Sequence, residues 1–281
     1  MKILKELGLL SLVLVVVLAL SGCIQKSEWI SLFDGKTLQG WKASEHQGSW
    51  KIEQGSIVTS GERSHLFYVG DDTPPHFKNF ELKAKVKTTR NSNSGIYFHT
   101  EYQEEGWPSK GYECQIVNSV AKKDNDTYVE HKMTGSLYGI RNLAKSPAKD
   151  DVWFDYHIIV QGKTIRTYIN GDLVVDYTEP DQPLRREDMQ ERLLSSGTFA
   201  LQCHDPDSKV YFKDIQLKLL EDELPSLERS LSDKAYEEKL LNASKRNIPL
   251  SDLHVHLKKG LTLEQALEHA RTCLLYTSPS P

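Results

Sequence analysis

NSNSGIYFHTEYQEEGWPSKGYECQIVN, residues 91–118, decides the fold. It holds two short alternating runs joined by a polar loop. In Ser94–Glu101, Gly95, Tyr97, His99 and Glu101 point one way while Ile96 and Phe98 point the other, the period of a half-buried strand. In Gly111–Val117, Tyr112, Cys114 and Ile116 suit a core, and Glu113 and Gln115 share the opposite face. Neighbouring strands would place a carboxylate, an imidazole, an amide and a phenol on one surface. Trp107 hangs from the loop between them.

The same period runs outward on both sides. Trp29–Phe33 leads into the turn pair Asp34-Gly35. Trp50–Glu53 and Ser56–Ser60 flank Gln54-Gly55, a hairpin signal. Phe80, Leu82, Ala84 and Val86 alternate with Glu81, Lys83, Lys85 and Lys87, giving one core face and one solvated face. Trp153–Val160, Thr164–Ile169 and Leu173–Tyr177 form a meander, the last two joined by the strong two-residue signal Asn170-Gly171. Gly197–Gln202 and Val210–Leu219 close the set. In Val210–Leu219 the apolar phase slips, which predicts a bulge or bend near Lys213-Asp214. About a dozen short strands at this spacing predict an all-β, two-sheet antiparallel sandwich.

Composition narrows the partners. The chain has 281 residues, 38% hydrophobic and 26% charged, with formal net charge -4. No basic stripe or stacking motif accompanies that balance, so nucleic acid is not an expected partner. The four cysteines are too few and too scattered for a disulfide framework, and no four-ligand zinc spacing occurs. Cys114 and Cys203, both in strand patterns, read as buried thiols. Cys273 lies in the C-terminal tail.

The two ends carry other signals. Residues 1–23 read as an export signal: Lys2 and Lys5, then an apolar run over 7–20, then Leu20-Ser21-Gly22-Cys23. That ending resembles a bacterial lipobox, which implies lipidation of Cys23, with residues 24–28 as a tether and a membrane as partner through the lipid. The expected location is the bacterial cell envelope, periplasmic or at the cell surface. Residues 29–220 are the sandwich domain. Residues 221–247 have the spacing of a helical linker. Residues 248–271 carry Asp252, His254 and His256 on one strand pattern and resemble the first strand and helix of a metal-dependent amidohydrolase or phosphoesterase barrel. One such unit cannot supply a full ligand set, so no competent metal site is expected there. Residues 272–281, TCLLYTSPSP, resemble translated sequencing-adapter read-through and are set apart from the fold.

Five motifs in order, SLFDGKTLQGWK (31–42), NSGIYFHTE (93–101), GYECQIVN (111–118), TGSLYGI (134–140) and LQCHDPDSKVYFKDI (201–215), resemble the 3-keto-disaccharide hydrolase family, also known as domain of unknown function 1080. The resemblance covers about residues 28–220. It implies a concanavalin A-like jelly-roll with its ligand on the concave face, and action on glycosides oxidised to a ketone at carbon 3. Two features depart from the pattern. Cys203 stands where glycine is usual, and the link over 119–133 is long.

The E-x-D-x-x-E arrangement of laminarinase-like jelly-rolls, which holds two carboxylates about 5–5.5 Å apart for double displacement, is absent. A 3-keto sugar needs one base, donors for an enolate oxygen and an acid for the leaving group. Glu113 is the expected base, with His99 as acid or enolate donor. Gln115, Lys132, Arg141 and His204 are expected substrate donors, and Tyr97, Trp107 and Tyr138 sugar platforms. Plainer roles stand beside these. Glu113 reads equally as a surface residue paired to a lysine, His99 as a structural hydrogen-bonding residue, Trp107 as a packing plug, and His204-Asp205-Pro206 as a turn. A divalent metal is compatible with this chemistry, but no ligand set in the sequence supports one. The rival function is a non-catalytic carbohydrate-binding module within a larger lipoprotein.

Overall fold

The computed structural model describes residues 28–71, 75–119 and 130–222. The signal with Cys23, nearly all of the tether and of the helical linker, the fragment 248–271 and the tail 272–281 lie outside the described residues, as does most of the long link after the GYE motif.

The strands, in chain order, are β1 (Ile30–Ser31), β2 (Trp41–Ala43), β3 (Trp50–Glu53), β4 (Ser56–Thr59), β5 (Ser64–Tyr68), β6 (Phe80–Thr88), β7 (Ser94–Thr100), β8 (Tyr112–Ile116), β9 (Phe154–Gln161), β10 (Thr164–Ile169), β11 (Asp172–Thr178), β12 (Thr198–Cys203) and β13 (Val210–Leu219). Helix among the described residues is confined to two 3₁₀ turns, Gln47–Ser49 and Glu187–Met189. One sheet has the order β11-β10-β9-β6-β13-β4-β3, with β1 added on β13; the other has the order β2-β5-β12-β7-β8. Every pairing is antiparallel. The fold is the expected two-sheet jelly-roll sandwich.

Alternation explains the layering. On β6, Phe80, Leu82, Ala84 and Val86 enter the core while Glu81, Lys83, Lys85 and Lys87 stay half-buried on the outer face. They meet Ile96 and Phe98 of β7, Tyr112, Cys114 and Ile116 of β8, and Phe199 and Leu201 of β12. Phe80 stands edge-on to Phe199 and Phe98, with ring centroids 4.8 and 5.7 Å away. Truncating such a ring to alanine costs about 3–5 kcal/mol.

Turn chemistry sets the register. Gln54 and Gly55, with φ of 49° and 73°, close β3 on β4, and Asn170 and Gly171, at 52° and 89°, close β10 on β11. Positive φ at both central residues matches the twist of a two-residue hairpin. The expected slip in the last strand is present. Pairing of β13 with β6 shifts between Lys213 and Gln216, Asp214 takes φ 51°, and Ile215 enters the core.

Two strands escape the sequence reading. β2 is three residues long. β5 has Ser64, His65, Leu66 and Phe67 all buried, so no wet position reveals its period. The expected strand Trp29–Phe33 shrinks to Ile30–Ser31. Cys114 and Cys203 are free buried thiols. Cys203 turns into the core and lies 3.4 Å from the Gly61 carbonyl.

Candidate functional site

The five-stranded sheet has one face on the core and one turned away from it. β7 and β8 are direct neighbours, pairing Gly95 with Gln115 and Tyr97 with Glu113. β12 lies on the other side of β7 and pairs Ala200 with Tyr97. The outward positions of three adjacent strands therefore bring Tyr97, Glu113, Gln115 and Gln202 to one surface. With Asn93 they floor a cavity of about 340 Å³. Its walls come from loops: Trp107, then Glu130 and Tyr138, then Arg186–Arg192, then His204.

Glu113 is the centre of this floor. It is 6% exposed, and its Oε1 accepts a hydrogen bond from Gln202 Nε2 at 3.0 Å. The same amide donates to the Tyr97 hydroxyl at 2.9 Å. Among the described residues Glu113 forms no ion pair. Burial raises its pKa above the usual carboxylate value; the Arg192 guanidinium, hydrogen bonding from Tyr97 and Gln202, and His204 pull less strongly the other way. A carboxylate kept from water but not neutralised by a contact ion pair is a stronger base than a solvated one. The other lining carboxylates are committed. Glu130 accepts from the Lys132 ammonium at 2.9 Å, and Asp188 from Arg186 at 2.6 Å.

Around Glu113 stand groups of complementary chemistry. Arg192 is 8% exposed, donates to the Gly111 carbonyl at 3.3 Å, and places its guanidinium 5.3 Å from the Tyr97 ring centre. His204 Nδ1 lies 2.7 Å from Asp205 Oδ2. This contact orients the ring and leaves Nε2 without a hydrogen-bond partner among the described residues. Asp205 Oδ1 also accepts from the Asp207 N–H and the Ser208 hydroxyl, so the turn reading of this motif holds as well. Trp107 is 43% exposed, tilted on His204 at 5.1 Å and edge-on to His65 at 5.5 Å. Its loop is held by Glu45, which accepts from Gly106 N at 3.2 Å and binds Arg63 in a fork at 2.8 and 3.1 Å.

Of the residues expected from sequence, Glu113, Gln115, Tyr97, Trp107, Tyr138 and His204 meet at this cavity. Lys132 reaches its edge, paired with Glu130 and 4.5 Å over the Tyr138 ring. Arg141 turns away to stack on Tyr177 at 4.8 Å. His99 is the clear correction. Thr198 pairs with Thr100 and Phe199 with Phe98, so His99 is an extra residue, with φ 54°. This bulge breaks the alternation. The imidazole packs edge-on against Phe80 and Phe98 at 5.8 and 5.3 Å instead of facing Glu113. Its Nδ1 accepts the Ser195 N–H at 3.1 Å, so Nε2 carries the proton and donates to the Lys78 carbonyl at 2.9 Å. Desolvation lowers its pKa to about 4. It is a neutral structural histidine.

Sequence reasoning missed Gln202, Arg192, Glu130 and Asn93 as lining residues. Gln202 was within reach, being out of phase with Phe199 and Leu201 in a recognised strand. Arg192 sits in a loop with no period to read.

A family model for the 3-keto-alpha-glucoside-1,2-lyase-like domain matches residues 28–218. The chain belongs to this family. A 3-keto-disaccharide hydrolase from Bacteroides thetaiotaomicron is 35% identical over 77 residues, which span 25% of this chain and 27% of that protein. Crystal structures of two candidate glycosyl hydrolases from Parabacteroides distasonis share the fold. One has TM-score 0.55 at 23% identity, over 69% of this chain and 94% of that one. The other has TM-score 0.51 at 22% identity, over 69% of this chain and all of that one. Within the family fold, the cavity on the outer face of the five-stranded sheet combines one buried basic carboxylate, the Arg192 guanidinium, an oriented imidazole and two aromatic walls. Such a set can remove a proton beside a carbonyl, hold the negative charge that results and protonate a leaving oxygen.

Proposed function

We propose that the chain is an exported, lipid-anchored enzyme that cleaves the glycosidic bond of 3-keto-glycosides, 3-keto-disaccharides among them. The observation that carries the reading is Glu113, buried at the cavity floor beside Arg192 and, among the described residues, free of an ion pair. Glu113 takes the proton from carbon 2. The C–H electrons form the enolate, whose oxygen on carbon 3 is stabilised by the Arg192 charge. Collapse of the enolate re-forms the ketone, makes the double bond between carbons 1 and 2, and expels the glycosidic oxygen. His204, oriented by Asp205, protonates that oxygen. Water then adds to carbon 1 as hydroxide, giving its proton back to His204, while Glu113 returns its proton to carbon 2, so the net change is hydrolysis. Trp107 and Tyr138 hold the sugar faces.

Glu113→Gln tests this directly. The amide keeps an oxygen for Gln202 but is no base. Turnover of a 3-keto-disaccharide should fall by about 10²–10⁴-fold while binding, measured by calorimetry, persists. Unchanged turnover would remove the assignment. The half-exposed Trp107 at the cavity wall favours one other reading, a binding module without catalysis. Sugar affinity with no turnover in the wild type would select it. The anchor is proposed from the sequence around Cys23, and Cys23→Ser should move the protein from the membrane fraction to the soluble one.

A further inference from the structure

Beside Glu113 lies a polar pair that the reaction above leaves unused. His65 of β5 and Gln202 of β12 are direct cross-strand partners, with side chains on the outer face. Directly paired side chains in a sheet stand about 4.5–5.5 Å apart at Cβ. His65 is fully buried, and among the described residues neither ring nitrogen has a hydrogen-bond partner. Gln202 Oε1 is also buried without a partner among the described residues, although the Gln202 Nε2 serves both Glu113 and Tyr97. Three unsatisfied polar atoms thus converge on one spot of the cavity floor. Each such atom destabilises the fold, and native proteins rarely cluster them without a use.

The surroundings define that use. The His65 ring is edge-on to Tyr97 at 5.5 Å and to Trp107 at 5.5 Å, and both of these line the cavity. The half-exposed indole stands against the imidazole on one side and lines the cavity on the other. A turn of that ring would open the imidazole to the cavity. Burial lowers the His65 pKa to about 3, with Glu45 opposing and Arg63, His204 and Arg192 adding to the shift. The ring is therefore neutral, with one N–H donor and one acceptor nitrogen. Gln202 adds a carbonyl acceptor.

We infer that His65 and Gln202 form a subsite, gated by the Trp107 ring, that reads one hydroxyl group of the bound sugar. The hydroxyl accepts from the imidazole N–H and donates to Gln202 Oε1. His65 is then a specificity residue. The inference rests on the 3-keto-glycoside reading.

The test uses the full chain and a 3-keto-glucoside together with analogues lacking in turn the 2-, 4- and 6-hydroxyl. Wild type should discriminate against one analogue by about tenfold or more in kcat/KM, since a site built to hold a hydroxyl rejects the compound without it. His65→Phe should reduce that ratio below about threefold for the same analogue. Its thermal midpoint should stay level or rise, because the change removes unsatisfied polar atoms. His65→Leu serves the same purpose where the phenyl ring crowds Trp107. Equal handling of all analogues by wild type, or the same discrimination in both variants, overturns the subsite alone. A fall in midpoint of more than about 4 °C in both variants overturns it too, showing that the imidazole is needed for the fold. A wild type that neither binds nor cleaves the panel overturns the substrate reading and the subsite together.

Discussion

Glu113 lies across a glycine. An ideal Cβ at Gly95 would stand 2.6 Å from its Oε1 and 3.0 Å from its Cγ. Gly95 does not have positive φ, so alanine is compatible with its backbone, and the three atoms nearest its Cβ all belong to the Glu113 side chain. Gly95→Ala should therefore displace the base without disturbing the strand. Misplacement on the order of 1 Å can lower a rate about 100-fold. We expect kcat to fall by about 10–100-fold, with unfolding free energy within about 1–2 kcal/mol of wild type by urea titration. A larger loss of stability than of rate would place the role of Gly95 in the fold. Alternation made the outward position of Glu113 legible in the sequence. The need for Gly95 beneath it was not, because it arises from the pairing of β7 with β8 and the direction of one side chain.

The element that most changes the sequence reading is the bulge in β7. Perfect alternation would carry His99 to the face of Glu113. The extra residue sends it to the core side, and two glycines close on it. A Cβ at Gly111 would lie 2.1 Å from the Phe98 carbonyl oxygen, and one at Gly197 would lie 2.3 Å from that of Thr100. Backbone cannot yield at such distances as a side chain can. Gly197→Ala should cost about 3 kcal/mol or more. Gly162→Ala, at φ 56° with nothing within 4 Å of its Cβ, should cost only about 1 kcal/mol. Chemical denaturation of the two variants decides; equal losses would show that the close packing around the bulge is not what restrains the chain. The slip in β13 was readable because its apolar phase changes within one run. The slip in β7 was not, because histidine is compatible with either face. β5 was hidden for a related reason: both its faces are covered, so the polar His65 looks like an ordinary loop residue.

At the scale of the whole molecule, two neutral imidazoles sealed in separate places make the fold acid-sensitive. His65 and His99 have folded pKa values lowered to about 3 and about 4, both through desolvation, against about 6.5 in the unfolded chain. Groups that are harder to protonate when folded favour the native state above pH 6.5. That advantage shrinks as pH falls, because the unfolded chain takes up protons that the native one refuses. With both rings titrating, stability should fall by roughly 2–3 kcal/mol per pH unit below 6.5, a large share of the total of about 5–15 kcal/mol typical of such domains. Glu113 acts in the opposite sense, since its raised pKa lets the native state hold a proton that the unfolded chain has released. It is one group against two. Urea unfolding at pH 7.0 and 5.5 should show the drop in wild type, and His65→Phe should show about half of it. A flat profile from pH 7 to 5.5 would mean that water reaches both rings. The sandwich and the polar sheet surface were legible in the periodicity; this sensitivity was not, because burial of a histidine depends on what the distant loops carrying Trp107 and Ser195 place over it.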